Sequence, residues 1–342
     1  MKLKFLGFAL LAVCVCAVCC MCGSDSKTPD YEFPDGPDPD PDPQPGDYPA
    51  GLTVTEFTDD LGGGKQCLGF VAVADLKANP KLRFNAVHLP QQKIPSRIHA
   101  EFASANRGTA CVTTNAGYWW AGNSLSLLVT GGTVKSIENQ TVTRNNQTVY
   151  PVRSSFGQMA SGGFETHWIY CVLDDGNKPY AFPSALDNDE RTNTYMSAPP
   201  TSKTPGAVLW TPQEAVGGGP MLVKEGKNVA VENYWKEVFD GGGIAGTSRQ
   251  PRTAVGATAD GKLILLVCDG RNMRGSAGFT LAELADKLIE LGAVDAVNLD
   301  GGGSSTMVGS DGKVLNRPSD TGSAEVIVER KISTAVVISE VN

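Results

Sequence analysis

The sequence predicts an α+β fold: one domain with a mixed β-sheet core, hairpins, a C-terminal βαβ unit and flanking helices. Three observations carry this. Short apolar runs of strand length, bounded by turn residues, recur along the chain from QCLGFVAV onward. Asp260-Gly261 separates the alternating run Arg252 to Ala259 from KLILLVC, the pattern of a two-residue hairpin. TLAELADKLIELG places Leu281, Leu284, Ala285, Leu288 and Ile289 on one helical face. Strand 262–268, helix 281–291 and strand 294–299 then read as a βαβ unit, with parallel strands and a right-handed crossover.

The amino terminus precedes this domain. Lys2 and Lys4 are followed by an unbroken apolar run from Phe5 to Cys22. This is a secretory pattern, and cysteines at its end (Cys19, Cys20 and Cys22) resemble a lipoprotein signal with one lipidated residue. An uncleaved anchor helix is the alternative, because about 18 apolar residues approach the span of a bilayer. Residues 28–50 hold seven acids, eight prolines and no base, a composition that cannot bury a core and predicts an extended tether. The expected organisation is a signal or anchor at 1–22, a tether at 23–50 and a folded domain at 51–342. The expected location is a bacterial cell envelope, with membrane contact only through the lipid anchor. Residues 1–50 carry −5 of the chain's net −8. No basic patch stands out in the rest, which argues against a nucleic-acid partner.

Within the domain, residues 67–76 and 81–89 read as strands split by an Asn79-Pro80 turn. Ser96 to Asn106 reads as a short helix. ACVTTNAGYWW at 110–120 reads as a strand that breaks into three aromatics. Asn115 and Tyr118 either line a sugar site or belong to a turn with aromatic core. The stretch 122–210 alternates short strands with polar turns and shows little chemistry. EAVGGGPMLVKEGK reads as a glycine-opened strand and hairpin, its glycines explained by close backbone packing, and 232–250 reads as a surface insertion. Thr280 and Glu283 form a capping box, with Gly292 at the far end of the helix. Cys67, Cys111, Cys171 and Cys268 sit in apolar runs and make no metal-type pair. Buried thiols are the simpler reading, and an oxidising compartment leaves three disulfide connectivities open.

The chemistry concentrates at Asn298-Leu299-Asp300-Gly301-Gly302-Gly303-Ser304-Ser305. A buried strand delivers Asn298 and Asp300 to its carboxyl end. The glycines allow positive φ and close approach of a ligand, and their amides can form an anion-binding nest. Hairpin register places Arg252 opposite Asp269 or one residue away. Parallel strands would bring Asp269 and Asp300 to one sheet edge together with Arg252, Arg271 and Asn298.

NAGYW, EAVGGGPMLVKEG, PRTAVGATADGKLILLVCDGR and FTLAELADKLIELGAVDAVNLDGGGSSTMV, in that order, resemble the phosphodiester glycosidase family over roughly residues 65–335. One departure is Ala116, where the family more often has glycine. The resemblance implies hydrolysis of a sugar-1-phosphodiester, such as an N-acetylglucosamine-1-phosphodiester, at the anomeric carbon. It implies Arg252, Asp269, Arg271, Asn298, Asp300 and Ser304 as site residues, with Asn115 beside them. A phosphodiester is a good leaving group, so stabilising its charge matters more than protonating it. The expected roles are Asp300 as nucleophile or base, Arg252, Arg271 and the Gly301–Gly303 amides on the phosphate, and Asp269 orienting Arg252 or acting as second carboxylate. Tyr118 and Ser305 complete the expected substrate contacts. No cofactor is required; a calcium or magnesium ion near the carboxylates is compatible, but no ligand spacing demands one. The expected partner is a sugar phosphate or a cell-surface glycan. A different class of function, a surface glycan-binding lipoprotein that keeps the fold without catalysis, predicts saturable binding without turnover.

Overall fold

Sheet pairing gives this chain its architecture. A computed structural model describes residues 47–102, 107–241, 243–320 and 326–341. The N-terminal apolar run and nearly all of the acidic tether lie outside the described residues. A compact unit runs from Pro43 to Asn342.

The chain opens with β1 (Leu52–Asp60), β2 (Gln66–Ala74), β3 (Leu82–Lys93), helix α1 (Pro95–Phe102) and β4 (Thr109–Asn115). Two small ribbons follow: β5 (Trp119–Trp120) with β6 (Asn123–Ser124), and, after β7 (Leu128–Thr130) and β8 (Thr133–Ser136), β9 (Val142–Arg144) with β10 (Gln147–Val149). A meander comes next: β11 (Arg153–Gln158), β12 (Phe164–Val172), β13 (Lys178–Phe182) and β14 (Val208–Leu209). Then come β15 (Glu214–Gly217), β16 (Met221–Lys224), β17 (Lys227–Asn228) and helix α2 (Ala230–Lys236). The last third holds β18 (Arg252–Thr258), β19 (Leu263–Cys268), helix α3 (Leu281–Glu290), β20 (Ala293–Asn298), β21 (Met307–Val308) and β22 (Ile332–Glu340).

These strands make two seven-stranded sheets, β1-β2-β19-β18-β20-β16-β17 and β14-β13-β12-β11-β15-β7-β8, and a four-stranded sheet, β21-β4-β22-β3. All three face one central core. Phe70, Leu265, Phe84, Val336, Phe156 and Val216 meet there, at 0–2% exposure. Successive side chains on a strand point to opposite faces, so the intervening residues build separate layers. Val71, Ile264 and Leu266 turn outward onto α3, whose Leu284 and Leu288 are fully buried against them. Val337 and Ala335 turn outward onto Ile98 and Phe102 of α1. Strands buried on both faces explain why the sequence shows continuous apolar runs rather than alternation. Each buried leucine of α3 contributes about 1.5–3 kcal/mol.

The predicted α+β class is overturned. The chain is predominantly β, with three short helices among the described residues, and every pairing between these strands is antiparallel. The expected βαβ unit is absent. β18 lies between β19 and β20 and runs antiparallel to both. Strand–helix–strand periodicity suggested adjacent parallel strands. It cannot show that an earlier strand occupies the slot between them. The carboxyl ends of β19 and β20 still share an edge, because each opposes β18.

Local expectations fared differently. Thr280 Oγ1 accepts from the Glu283 amide at 3.2 Å, and Glu283 Oε2 accepts from the Thr280 amide at 2.9 Å, closing the capping box. The 258–262 connection is a three-residue loop rather than a two-residue one. The Thr258 amide donates to the Lys262 carbonyl at 3.0 Å, and Gly261 takes φ 87°. Arg252 therefore faces Cys268, one residue short of Asp269. The four cysteines of the domain are buried and free. No described helix is long and apolar enough to cross a membrane.

Candidate active site

Asp300 lies just past the end of β20, where the chain leaves the sheet and turns through three glycines. Two hydrogen bonds hold its backbone and one its carboxylate. The Asp300 amide donates to the Ala116 carbonyl at 2.9 Å. Asn115 Nδ2 donates to the Asp300 carbonyl at 2.6 Å. The next amide, on Gly301, donates to the carboxylate Oδ1 at 3.0 Å. Burial raises the Asp300 carboxyl to about 6, against the opposing pull of the Ser304 hydroxyl, the Arg330 charge, the Gly301 amide and the Trp119 indole. Such a group changes charge near neutral pH.

The carboxyl borders a cavity of about 450 Å³. Arg144, Arg153, Arg252, Arg271 and Arg330 all line it, and Asp300 is its sole lining carboxylate among the described residues. Arg144 pairs with Glu190 at 2.6 Å, and Arg330 pairs with Asp320. With Glu190, Asp320 and Asp300 all ionised, five guanidiniums still leave two positive charges in excess. A cavity with that balance selects anions.

Each arginine is positioned by a different part of the chain. Arg330 crosses the glycine turn; a Cβ on Gly303 would lie 2.6 Å from its Nη2, so a larger residue there would push the guanidinium aside. Its Nη1 lies 3.5 Å from Ser304 Oγ. Arg271 packs beside Gly302 and donates through Nε to Gln250 Oε1 at 3.0 Å. Arg153 lies over the Phe239 ring, 4.2 Å from its centroid. Arg252 is 2% exposed, and four of its five N–H groups go to backbone carbonyls: Phe279, Ile244, Ala245 and Ser248, at 2.9–3.0 Å. It therefore fixes the wall formed by residues 244–248.

The structure brings some expected site residues to the cavity and sets others behind it. Tyr118, Arg252, Arg271, Asp300 and Gly301–Gly303 line it. Asn115 is buried one layer back, where Oδ1 accepts from Thr253 Oγ1 at 2.8 Å and from the Thr306 amide at 3.2 Å. Asn298 is also interior; Nδ2 donates to Tyr118 Oη at 2.7 Å and to the Gly219 carbonyl at 3.0 Å. Ser304 and Ser305 are fully buried, Ser305 Oγ accepting from Thr253 Oγ1 at 3.2 Å. Asp269 is fully buried away from the lining. Its Oδ1 accepts from the Arg317 amide at 2.7 Å and from Asn316 Nδ2 at 3.0 Å, and burial raises it to about 6. The glycine nest is partly spent internally, since the Gly302 amide donates to the Pro251 carbonyl at 2.9 Å.

Sequence reading missed the other half of the wall. The supposed surface insertion supplies Phe239, Ile244 and Ala245, and its Glu237 is fully buried. Glu237 is pushed up to about 7 by burial, although four donors from Met221, Ser154 and Trp168 hold it. Arg144 and Arg153 come from the stretch that showed little chemistry. An arginine inside a strand otherwise short of charge was the available signal. Trp120 borders the cavity at 75% exposure. Among the described residues, no group of three His, Cys, Asp or Glu side chains is placed to hold a metal ion.

Comparison with known proteins now adds to the geometry. The family model for phosphodiester glycosidases matches residues 131–339. The chain belongs to the phosphodiester glycosidase family. Within 90 residues it is 40% identical to N-acetylglucosamine-1-phosphodiester alpha-N-acetylglucosaminidase of Bos taurus, a match covering 26% of this chain and 16% of that protein. It is 35% identical over 122 residues to the SPbeta prophage-derived uncharacterized protein YomE of Bacillus subtilis, covering 35% of this chain and 16% of that one. The chain thus aligns to about one sixth of the length of these relatives. The catalytic domain of the zebrafish N-acetylglucosamine-1-phosphodiester alpha-N-acetylglucosaminidase, solved in a form auto-inhibited by its pro-peptide, shares the fold: TM-score 0.55 at 20% identity, over 84% of this chain and 82% of that one. Family membership supports a phosphodiester glycosidase-like function for the chain.

Proposed function

We propose that this phosphodiester glycosidase hydrolyses a sugar-1-phosphodiester at the anomeric carbon, with Asp300 as general base. The observation that carries this is a lone carboxylate of raised pKa in a cavity faced by five guanidiniums. Arg271 and Arg330, set against Gly302 and Gly303, take the phosphate oxygens. Asp300, ionised, withdraws a proton from a water. The water oxygen bonds to the anomeric carbon as the bond from that carbon to the phosphate oxygen breaks. The electron pair leaves on the phosphate, whose charge the arginines stabilise, so no acid has to protonate it. Glycosidases commonly use two carboxyl groups. A covalent intermediate on Asp300 would leave no second cavity carboxylate to activate water, which favours a single displacement. Tyr118 and the Trp119-Trp120 ribbon offer flat faces to the sugar.

Proton NMR of the first-formed sugar tests this. Single displacement predicts inverted anomeric configuration, and turnover that requires the phosphodiester rather than a neutral aglycone. A retained product would put Asp300 in covalent attachment to the sugar. Saturable binding with no product would place the chain in the non-catalytic glycan-binding class.

A further inference from the structure

Arg144 and Arg153 are brought together on a single backbone oxygen. Arg144 Nη2 donates to the Val238 carbonyl at 3.3 Å, and Arg153 Nη2 donates to the same carbonyl at 3.2 Å. Juxtaposing two like charges is unfavourable unless something compensates. Glu190 neutralises one of them, its Oε1 accepting from Arg144 Nε at 2.6 Å while Oε2 accepts from the Asp240 amide. Among the described residues no carboxylate forms an ion pair with Arg153. Burial lowers the Arg153 guanidinium's pKa, against the opposing pull of Tyr118 and Glu237, and the Arg144 charge adds to the lowering. Both side chains line the cavity, yet none of their contacts reaches the glycine turn, where Arg271 and Arg330 sit. The second guanidinium of the pair has no ion-paired carboxylate among the described residues and rests on a ledge built from residues 237–239, over the Phe239 ring.

We infer that Arg144 and Arg153 form a second anion subsite, and that the natural substrate carries a further phosphate or carboxylate on its aglycone. This rests on the proposed hydrolysis, since it assigns the scissile phosphate to Arg271 and Arg330. Two planar guanidiniums meeting at one point suit a tetrahedral phosphate or a planar carboxylate. The charge balance agrees: the cavity holds two positive charges in excess, and a simple phosphodiester brings one negative charge.

The test compares two substrates with the same sugar and the same scissile phosphodiester, one with a methyl aglycone and one with an aglycone ending in phosphate. The wild type is expected to show a KM about tenfold lower for the doubly charged substrate, equivalent to about 1.4 kcal/mol. The advantage should shrink with added salt and fall below about threefold in Arg144→Gln, with Arg144→Lys retaining part of it. Equal KM values in the wild type, or an undiminished ratio in Arg144→Gln with a normal thermal melt, overturn the subsite while leaving the hydrolysis intact. If neither substrate turns over, the hydrolysis reading fails instead. Calorimetry with methylenediphosphonate then decides the subsite: binding weakened in Arg144→Gln supports it, and no binding to the wild type overturns it.

Discussion

At the level of single residues, the account turns on the proton of Asp300. Burial raises the carboxyl to about 6, and Arg330 and the Ser304 hydroxyl hold it from rising further. A general base works only when ionised, so kcat/KM should climb with pH and level off above about 6. Replacing Arg330 with Gln removes a positive charge that favours the carboxylate, so the rising limb should move to higher pH. A pH profile separates this from structural damage, which would lower the rate at every pH and leave the limb in place. Asp300 stood out in the sequence as a carboxylate at the end of an apolar run before three glycines, a pattern that a glycine-rich hairpin with a solvated Asp fits equally well until Arg252, Asp269 and Arg271 converge on the same edge. The commitments of Arg252 did not stand out: nothing local shows that four of its N–H groups meet carbonyls of residues 244–248 and 279. Arg144 and Arg153 offered only the faint signal of an arginine in a strand otherwise short of charge, and Arg330 offered none, since their shared cavity depends on contacts nearly two hundred positions apart.

At the level of elements, the legible parts were those whose cause is local. Helix α3 announced itself by its apolar period and its capping box, and the glycines of 217–219 by close packing; a Cβ on Gly218 would lie 2.2 Å from the Asn298 carbonyl. Sheet order was not legible. Apolar runs buried on both faces specify that a strand has neighbours, not which ones, so β18 between β19 and β20 could not be read from periodicity. Asn115 shows what the sheets owe to one another. From the end of β4 it ties the Asp300 carbonyl, the Thr253 hydroxyl and the Thr306 amide together. Asn115→Ala orphans the Asp300 carbonyl and the Thr306 amide at about 1–3 kcal/mol each, while the Thr253 hydroxyl keeps Ser305. Leu284→Ala, in the layer beneath α3, costs about 2–5 kcal/mol through the cavity it leaves. Denaturant melts should show both variants destabilised. Only Asn115→Ala should also lower kcat in the fraction that remains folded, because Asn115, unlike Leu284, holds the Asp300 main chain. Equal kcat values for the two would remove Asn115 from the support of the site.

At the level of the whole molecule, three antiparallel sheets around one core let distant stretches meet at a single cavity. The Asp300 turn follows β20 of one sheet, Arg153 opens the second sheet's β11, and Arg330 lies two residues before β22 of the third. The sequence showed which residues carry charge beside glycine. The three-sheet arrangement decides which of them share a surface, and it leaves Asp269 behind the wall. The central claim is that water attacks the sugar carbon and not the phosphorus. Hydrolysis of a sugar-1-phosphodiester in water labelled with heavy oxygen, followed by mass spectrometry of both products, tests it most directly. The account predicts the label in the anomeric hydroxyl of the sugar, and loss of both products in Asp300→Asn. Label in the released phosphate would contradict it and make the cavity a phosphodiesterase site.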